Sequence, residues 1–311
     1  MLEVNDSPLY SASFFAEEDP WSYLEELIEN NPISIHHRSD GYSFYALTKY
    51  SDVFDAYLKH KTLSSSYGTM IDGSYRPERD SASGKMLIVA DEPEHKKIKK
   101  PVKVSGFNKE MIDKVALTVR ANIRHSLSEL SVGEELDFST HVAPALPEGV
   151  LEVLFGIGPS DASSLLHATR TMIGYRDAVY ASHAPLESLV DAQQDVLDFM
   201  VELLQERMAS DDDQDLVGAL AQMVKSGELD EDTAILNCLN VAVGGNETTP
   251  HTSSLSVLTA SQFPGEWSRF VNGEVDSDTA TEEFLRWTST NSYVQRLALE
   301  DVEIGGVTIP E

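Results

Sequence analysis

Apolar residues return every three or four positions through most of this chain, and only near its two ends do they alternate singly, so helices dominate and strands are few. The first helix is predicted from Pro20 to Asn30, with proline in its opening turn. Ile33 to His37 and Tyr42 to Leu47 alternate around a polar Arg-Ser-Asp-Gly turn and predict a hairpin. A helix from Ser51 to about Leu58 comes next, and then a Ser/Gly-rich loop from Leu63 to Gly84, long enough to expect a function of it. Asp91-Glu92-Pro93 is expected to cap a lysine-bearing helix. From Lys109 to about Phe263 the period is helical throughout, with breaks at Gly133, Gly156 to Pro159 and Ala209 to Asp213. Ser277 is the expected N-cap of a helix reaching Trp287. Val294 to Ala298 and Val302 to Ile309 then predict strands, the second bent at Gly305-Gly306. The class is mostly α with a small β-sheet whose strands come from both ends of the chain. No repeat, low-complexity tract or linker divides it, so residues 1–311 are expected to form a single domain.

One helical stretch breaks its own rules. Gly244-Gly245-Asn246-Glu247-Thr248-Thr249-Pro250 places two glycines and a proline where glycine costs about 1 kcal/mol and proline about 3 relative to alanine. Paired glycines strip side chains from a face that a flat ligand could approach, and Pro250 cannot donate a hydrogen bond to the carbonyl of Asn246. Glu247 beside Thr248 sets an acid next to a hydroxyl, the pairing needed to relay protons into a buried site. A plain kink closed by a polar turn accounts for the same residues equally well.

Composition narrows the field. With 311 residues, 41% of them hydrophobic, the chain can bury a large core. The N-terminus lacks a basic segment followed by an apolar one, and nowhere do 18 apolar residues run together, so a soluble, cytoplasmic protein is expected. The single cysteine, Cys238, excludes a disulfide framework and a cysteine-rich metal site. His36-His37 has no third ligand nearby. A net charge of −29, from 52 acidic and 23 basic residues, argues against nucleic acid or an anionic membrane as partner. Against that background, five basic residues crowd between Lys96 and Lys103 with no acidic residue among them. On a helix His95 and Lys99 share one face, and Lys96, Lys100 and Lys103 form a neighbouring stripe. An inward pair could hold a carboxylate or phosphate, and an outward stripe could dock an acidic protein. A solvated helix face is the plain alternative.

Taken in order, these segments resemble the cytochrome P450 family of bacterial-type, soluble haem-thiolate monooxygenases, from Pro20 to Glu311. "ADEPEHKKIKK" is similar to the family's helix that binds the haem propionates, with His95 matching and Lys99 standing where the family usually has Arg. "GGNETT" resembles its oxygen-activating motif, which implies Glu247 and Thr248 as catalytic and Gly244 and Gly245 against the haem. "EEFLR" resembles the family's buried core pair, implying Glu283 and Arg286, and "YVQRLALEDVEIGGVTIPE" resembles the strand whose Arg, here Arg296, meets a propionate. The resemblance implies haem b as cofactor and an acidic ferredoxin or flavoprotein reductase docking at Lys96, Lys100 and Lys103. It also implies an apolar substrate such as a steroid, terpenoid or fatty acid, entering past residues 63–84 and 171–184. The family's cysteine-bearing loop lies beyond the segment matched here. Cys238, nine residues before Glu247 and roughly 13 Å along the same helix, is on the wrong side to replace it. The expectation is therefore a C-terminally incomplete P450 fold, the N-terminal portion of a monooxygenase and inactive as this chain. A haem-free P450-fold helper protein for a glycosyltransferase is the alternative. More remotely, Asp211 to Asp215 fits the magnesium-binding DDxxD pattern of terpene cyclases, although acids at a helix start explain the same run.

Overall fold

The alternating segments at the two ends of the chain meet in one compact unit, where they form three small sheets and not the single sheet expected. The structure, a computed structural model, describes residues 1–17, 19–39, 41–70, 79–133, 135–180, 184–210 and 214–311. Two compact units divide the chain: residues 1–84, 88–95 and 293–311 form the first, and residues 85–87 and 96–292 the second.

The first unit holds strands β1 (Leu2–Val4), β2 (Ile33–His37), β3 (Ser43–Leu47), β4 (Leu63–Ser64), β5 (Leu297–Ala298), β6 (Val302–Ile304) and β7 (Val307–Ile309). It also holds helices α1 (Ala12–Glu17), α2 (Pro20–Asn30) and α3 (Tyr50–Leu58). Asp19 caps α2, its carboxylate accepting from Ser22 N at 3.2 Å, and Pro20 fills the first helical position where no N–H is needed. The expected hairpin is made: β2 pairs antiparallel with β3, placing Ile35 opposite Tyr45, while β1 adds in parallel to the far edge of β2. β4 pairs with β5, Leu63 opposite Ala298, so distant parts of the chain share a ladder as expected. Ile33, Leu63, Val302, Ile304 and Ile309 meet in one core cluster, each worth roughly 1.5–3 kcal/mol of burial.

The second unit is helical: α4 (Glu94–Gly106, its first two residues counted in the first unit), α5 (Lys109–Ser128), α6 (Phe138–His141), α7 (Ala145–Phe155), α8 (Pro159–Ile173), α9 (Pro185–Ser210), α10 (Leu216–Ser226), α11 (Glu231–Asn246), α12 (Thr248–Gln262), α13 (Pro264–Val271) and α14 (Ser277–Thr288). Its core is drawn from α7 to α11, where Leu151, Phe155, Val196, Met200, Leu204, Leu216 and Leu220 are all buried. Arg207 is buried among them. Its guanidinium donates to Asp215 Oδ2 at 2.8 Å and to the carbonyls of Phe155 at 3.1 Å and Gly156 at 3.0 Å, and Asp215 in turn caps α10 by accepting from Gly218 N at 2.7 Å. Gly156 ends α7 at φ 61°, and a Cβ there would collide with both Asp215 and Arg207. Three local expectations change. Asp276, not Ser277, caps α14, accepting from Thr279 N at 2.9 Å. The helical period hides further breaks, between His141 and Ala145, between Ile173 and Pro185 and between Ser226 and Glu231. The Asp91 carboxylate turns away from α4 altogether, toward serines.

Most of this unit is well covered, but its last three helices are not. α12 buries only Pro250 of its side chains, and Leu255, Val257 and Leu258 on α12, Trp267 and Val271 on α13, and Leu285 and Trp287 on α14 are exposed. An apolar surface of that extent marks a contact site or an aggregation hazard.

Candidate functional site

The long helix does break where its sequence breaks the rules. α11 stops at Asn246 and α12 starts at Thr248, with Glu247 between them at φ −101°, ψ −45°. Local chemistry explains the position. The Thr248 hydroxyl donates to the Gly244 carbonyl at 2.9 Å, Pro250 cannot donate to Asn246, and the next backbone bond, His251 N to Glu247 O, is stretched to 3.4 Å. The Asn246 amide donates to Thr169 Oγ1 on α8 at 2.6 Å, both residues fully buried, and so pins the break in place. At Gly244 and Gly245 an added Cβ would meet nothing within 4 Å. These two residues present bare backbone to open space.

Glu247 has two basic neighbours in this unit. Its carboxylate is 16% exposed, with Oε1 at 3.5 Å from Arg170 Nε and Oε2 at 3.1 Å from His251 Nε2. Neither Oε1 nor Arg170 Nε completes a hydrogen bond there. Behind Arg170 lies Glu148 on α7, raised above the usual carboxylate range by burial, with Ser163 and Arg170 opposing and Glu152 adding to the rise. Arg170 and His251 did not stand out in the sequence: the first is one basic residue in the last turn of an ordinary helix, and the second lies beyond the motif. Thr248 is exposed on the same break.

The basic helix α4 buries Ile98, Val102 and Gly106, spaced four apart, with Gly106 facing Leu216 of α10. His95 is half-buried, while Lys96, Lys99, Lys100 and Lys103 are all exposed, so the inward face expected of the His95–Lys99 pair is formed by apolar residues instead. Lys99, Lys100 and Lys103 have no acidic partner among the described residues. In the first unit, Asp91 accepts from Ser65 N at 2.9 Å, Ser65 Oγ at 3.2 Å and Ser66 Oγ at 2.8 Å, and also from Ser64 Oγ. Burial alone would raise its pKa, but these bonds hold it below the usual range. What Asp91 gives α4 is its carbonyl, which accepts from His95 N at 2.9 Å. Arg296 is also in the first unit; it donates to the Gln295 carbonyl at 2.7 Å, stands 5.9 Å over the Tyr57 ring, and has no acidic partner among the described residues.

Other expected groups stand apart. Glu283 and Arg286 form a two-pronged pair, both bonds 2.7 Å, but they are 60% and 64% exposed, at the surface and not in a core. Such a pair contributes little to stability. Cys238 is buried, and burial first, then the charge of Asp215, pushes its thiol up to about 12. Asp211 to Asp213 lie outside the described residues, and Asp215 is committed to Gly218 and Arg207. Among the described residues, no group of three His, Cys, Asp or Glu side chains is placed to hold a metal ion, and no single helix is long and apolar enough to cross a membrane.

These residues fit a haem on two counts and fail on a third. Bare backbone at Gly244 and Gly245 suits a flat ring, and cations without acids in so acidic a chain suit carboxylate arms. A neutral, buried thiol does not suit a thiolate ligand, and Cys238 is the only cysteine.

No protein-family model matches the chain. Among curated proteins it is 31% identical over 314 residues to cytochrome P450 NovI of Streptomyces niveus, covering 98% of this chain and 74% of that one. It is 27% identical to the methyl-branched lipid omega-hydroxylase of Mycobacterium tuberculosis, covering 86% of this chain but only 62% of the relative. Among solved structures it superimposes on P450 OxyD, which is involved in the biosynthesis of vancomycin-type antibiotics, with a TM-score of 0.81 at 28% identity, over 100% of this chain and 76% of that one.

Proposed function

The chain belongs to the cytochrome P450 family, and on that footing we propose that its 311 residues are the larger, N-terminal part of one P450-like domain, that of a cytoplasmic haem-thiolate monooxygenase oxidising an apolar small molecule. The observation that carries the reading is the helix broken at Glu247, bare on its glycines and lined by an acid and a hydroxyl. When bound, haem b supplies the reductive activation of dioxygen. Its propionates would be held through charge-assisted hydrogen bonds, by His95 and Arg296 of the first unit and by Lys99 of the second, where Lys99 would give a point charge in place of a guanidinium fork. Gly244 and Gly245 let the ring lie against the backbone of α11. Thr248 positions a hydroxyl at the break, and Glu247 holds and moves a proton at its carboxylate. Lys96, Lys100 and Lys103, exposed on one stripe of α4, receive an acidic ferredoxin or flavoprotein by electrostatic steering. The thiolate comes from polypeptide outside these residues, and the uncovered apolar surface of α12 to α14 is where such polypeptide would pack.

A haem titration followed by absorption tests the reading. Saturable one-to-one binding by the folded chain is expected, without the carbon monoxide band shift that marks thiolate ligation until a cysteine-bearing C-terminal segment is supplied. Failure to bind haem by a chain whose helices are intact by circular dichroism refutes it, and favours a haem-free helper with this fold.

A further inference from the structure

We propose that His251 is the solvent-side proton donor to Glu247, so that protons reach the break along α12 through one imidazole. The inference rests on the reading of Glu247 and Thr248 as the proton-handling pair. His251 follows Glu247 by one helical turn, and its Nε2 lies 3.1 Å from Glu247 Oε2. The imidazole is 60% exposed while the carboxylate is 16% exposed. One contact therefore joins bulk water to an acid that water scarcely reaches. The other carboxylate oxygen is turned to the guanidinium of Arg170, which leaves Oε2 to the imidazole.

The chemistry suits the residue. Imidazole has a nitrogen at each end of its ring and can give a proton at one and regain one at the other, as a relay requires. The imidazolium Nε2–H bond breaks as an Oε2–H bond forms, giving neutral His251 and a carboxylic acid at Glu247. The acid's Oε2–H bond breaks as that proton passes to a water molecule at the Thr248 side of the break, restoring the carboxylate, and neutral His251 takes another proton from bulk water. No electron moves in these steps.

Other charged groups on the helices packed against α12 are engaged elsewhere. His141 on α6 bonds Thr140 and the Asp137 carbonyl. On α7, Glu148 lies against Ser163 and Arg170, and Glu152 accepts from Asn122. Arg269 on α13 pairs with Glu266 and Glu274, and Arg286 on α14 pairs with Glu283. No ion pair or hydrogen bond joins the His251 ring to Asp278 or Glu282 of α14; among the described residues Glu247 is the ring's one hydrogen-bond and ion-pair partner. An ordinary surface pair one turn apart, worth a few tenths of a kcal/mol, is what the test must exclude.

Two measurements decide. In the haem-free chain, the His251 ring is followed by NMR through a pH titration, its signal identified by its loss in His251→Asn. Replacing Glu247 with Gln is expected to change the pH dependence of that ring signal, because the ring's one carboxylate contact is lost, and an unchanged pH dependence overturns the proposal. In the haem-loaded oxygenase containing these residues, the ratio of product to peroxide is measured against pH. The natural protein should lose coupling as pH rises through the imidazole midpoint, while His251→Asn and His251→Gln should give a lower, flat profile. Should both variants keep the natural profile while Thr248→Ala uncouples the reaction, the inference fails and the parent reading stands. Should Thr248→Ala remain coupled as well, both fall.

Discussion

Replacing Gly244 or Gly245 with alanine should strengthen the fold and weaken haem binding, and the opposite signs make this a stringent check. Both glycines are helical residues of α11, and a Cβ at either meets nothing within 4 Å. Alanine therefore enters without a clash and removes the entropic penalty of glycine, a gain of about 0.5–1 kcal/mol per site. That corresponds to roughly 1.5 °C in thermal midpoint for each kcal/mol in a protein of 311 residues. If the bare backbone exists so that a ring can lie on it, the same methyl sits in the interface and overpacks it, at a cost of about 1–3 kcal/mol. Haem affinity should then fall by roughly 5- to 150-fold. Thermal unfolding of the haem-free chain and a haem titration of each variant supply the two numbers. A stabilised variant that binds haem as tightly as the natural chain would refute the reasoning, because the glycines would then have no ring to make room for.

Thr248→Ala should leave the fold intact, since its hydroxyl is exposed and bonds only the Gly244 carbonyl in the last turn of α11, yet it should divert oxygen to peroxide by on the order of 10²-fold; an unaltered product-to-peroxide ratio removes its role. Lys100→Glu should slow reduction by an acidic donor severalfold at low ionic strength and hardly at all at high, because the side chain is exposed on the steering stripe; stopped-flow rates that ignore both salt and substitution count against docking there. His36 is fully buried between Ser7 Oγ at 2.7 Å and Ser34 Oγ at 2.8 Å, and burial first, then His37, pushes it from 6.5 down to about 4. The fold prefers the neutral ring, so the stability it contributes is complete above pH 6.5 and is lost as pH falls toward 4, about 3 kcal/mol in all; an acid unfolding curve no shallower in His36→Gln would contradict this.

The helices and the hairpin were legible because each is written locally. Pro20 to Asn30 and Ile33 to His37 match their predicted bounds, since a cap, a proline and a period of apolar residues act within a few positions. The break at Glu247 was legible for the same reason, as glycine, threonine and proline each disturb the helix through their own backbone. Caps were misassigned where two candidates adjoin: Asp276 and Ser277 both suit an N-cap, and only the observed bond to Thr279 N separates them. Asp91 was misread because nothing nearby shows that Ser64 to Ser66, some twenty-five positions earlier, compete for its carboxylate.

The surroundings of Glu247 lay beyond sequence reasoning for a deeper physical reason. An acid beside a hydroxyl specifies chemistry, but whether the acid is free, paired or wired to water depends on side chains that other helices bring to it. Arg170 and Thr169 are consecutive on α8, so one face of that helix both anchors the break, through Asn246, and charges it, through Glu247. Neither contact leaves a local trace. Asn246 looks like a polar intruder in a helix until Thr169 is seen to satisfy it, and Arg170 looks like a helix-terminal cation until the buried carboxylate is found opposite. The acid thus has two basic neighbours of different kinds. A guanidinium does not part with its protons whereas an imidazole can, and an acid meant to pass protons needs one neighbour that can let go.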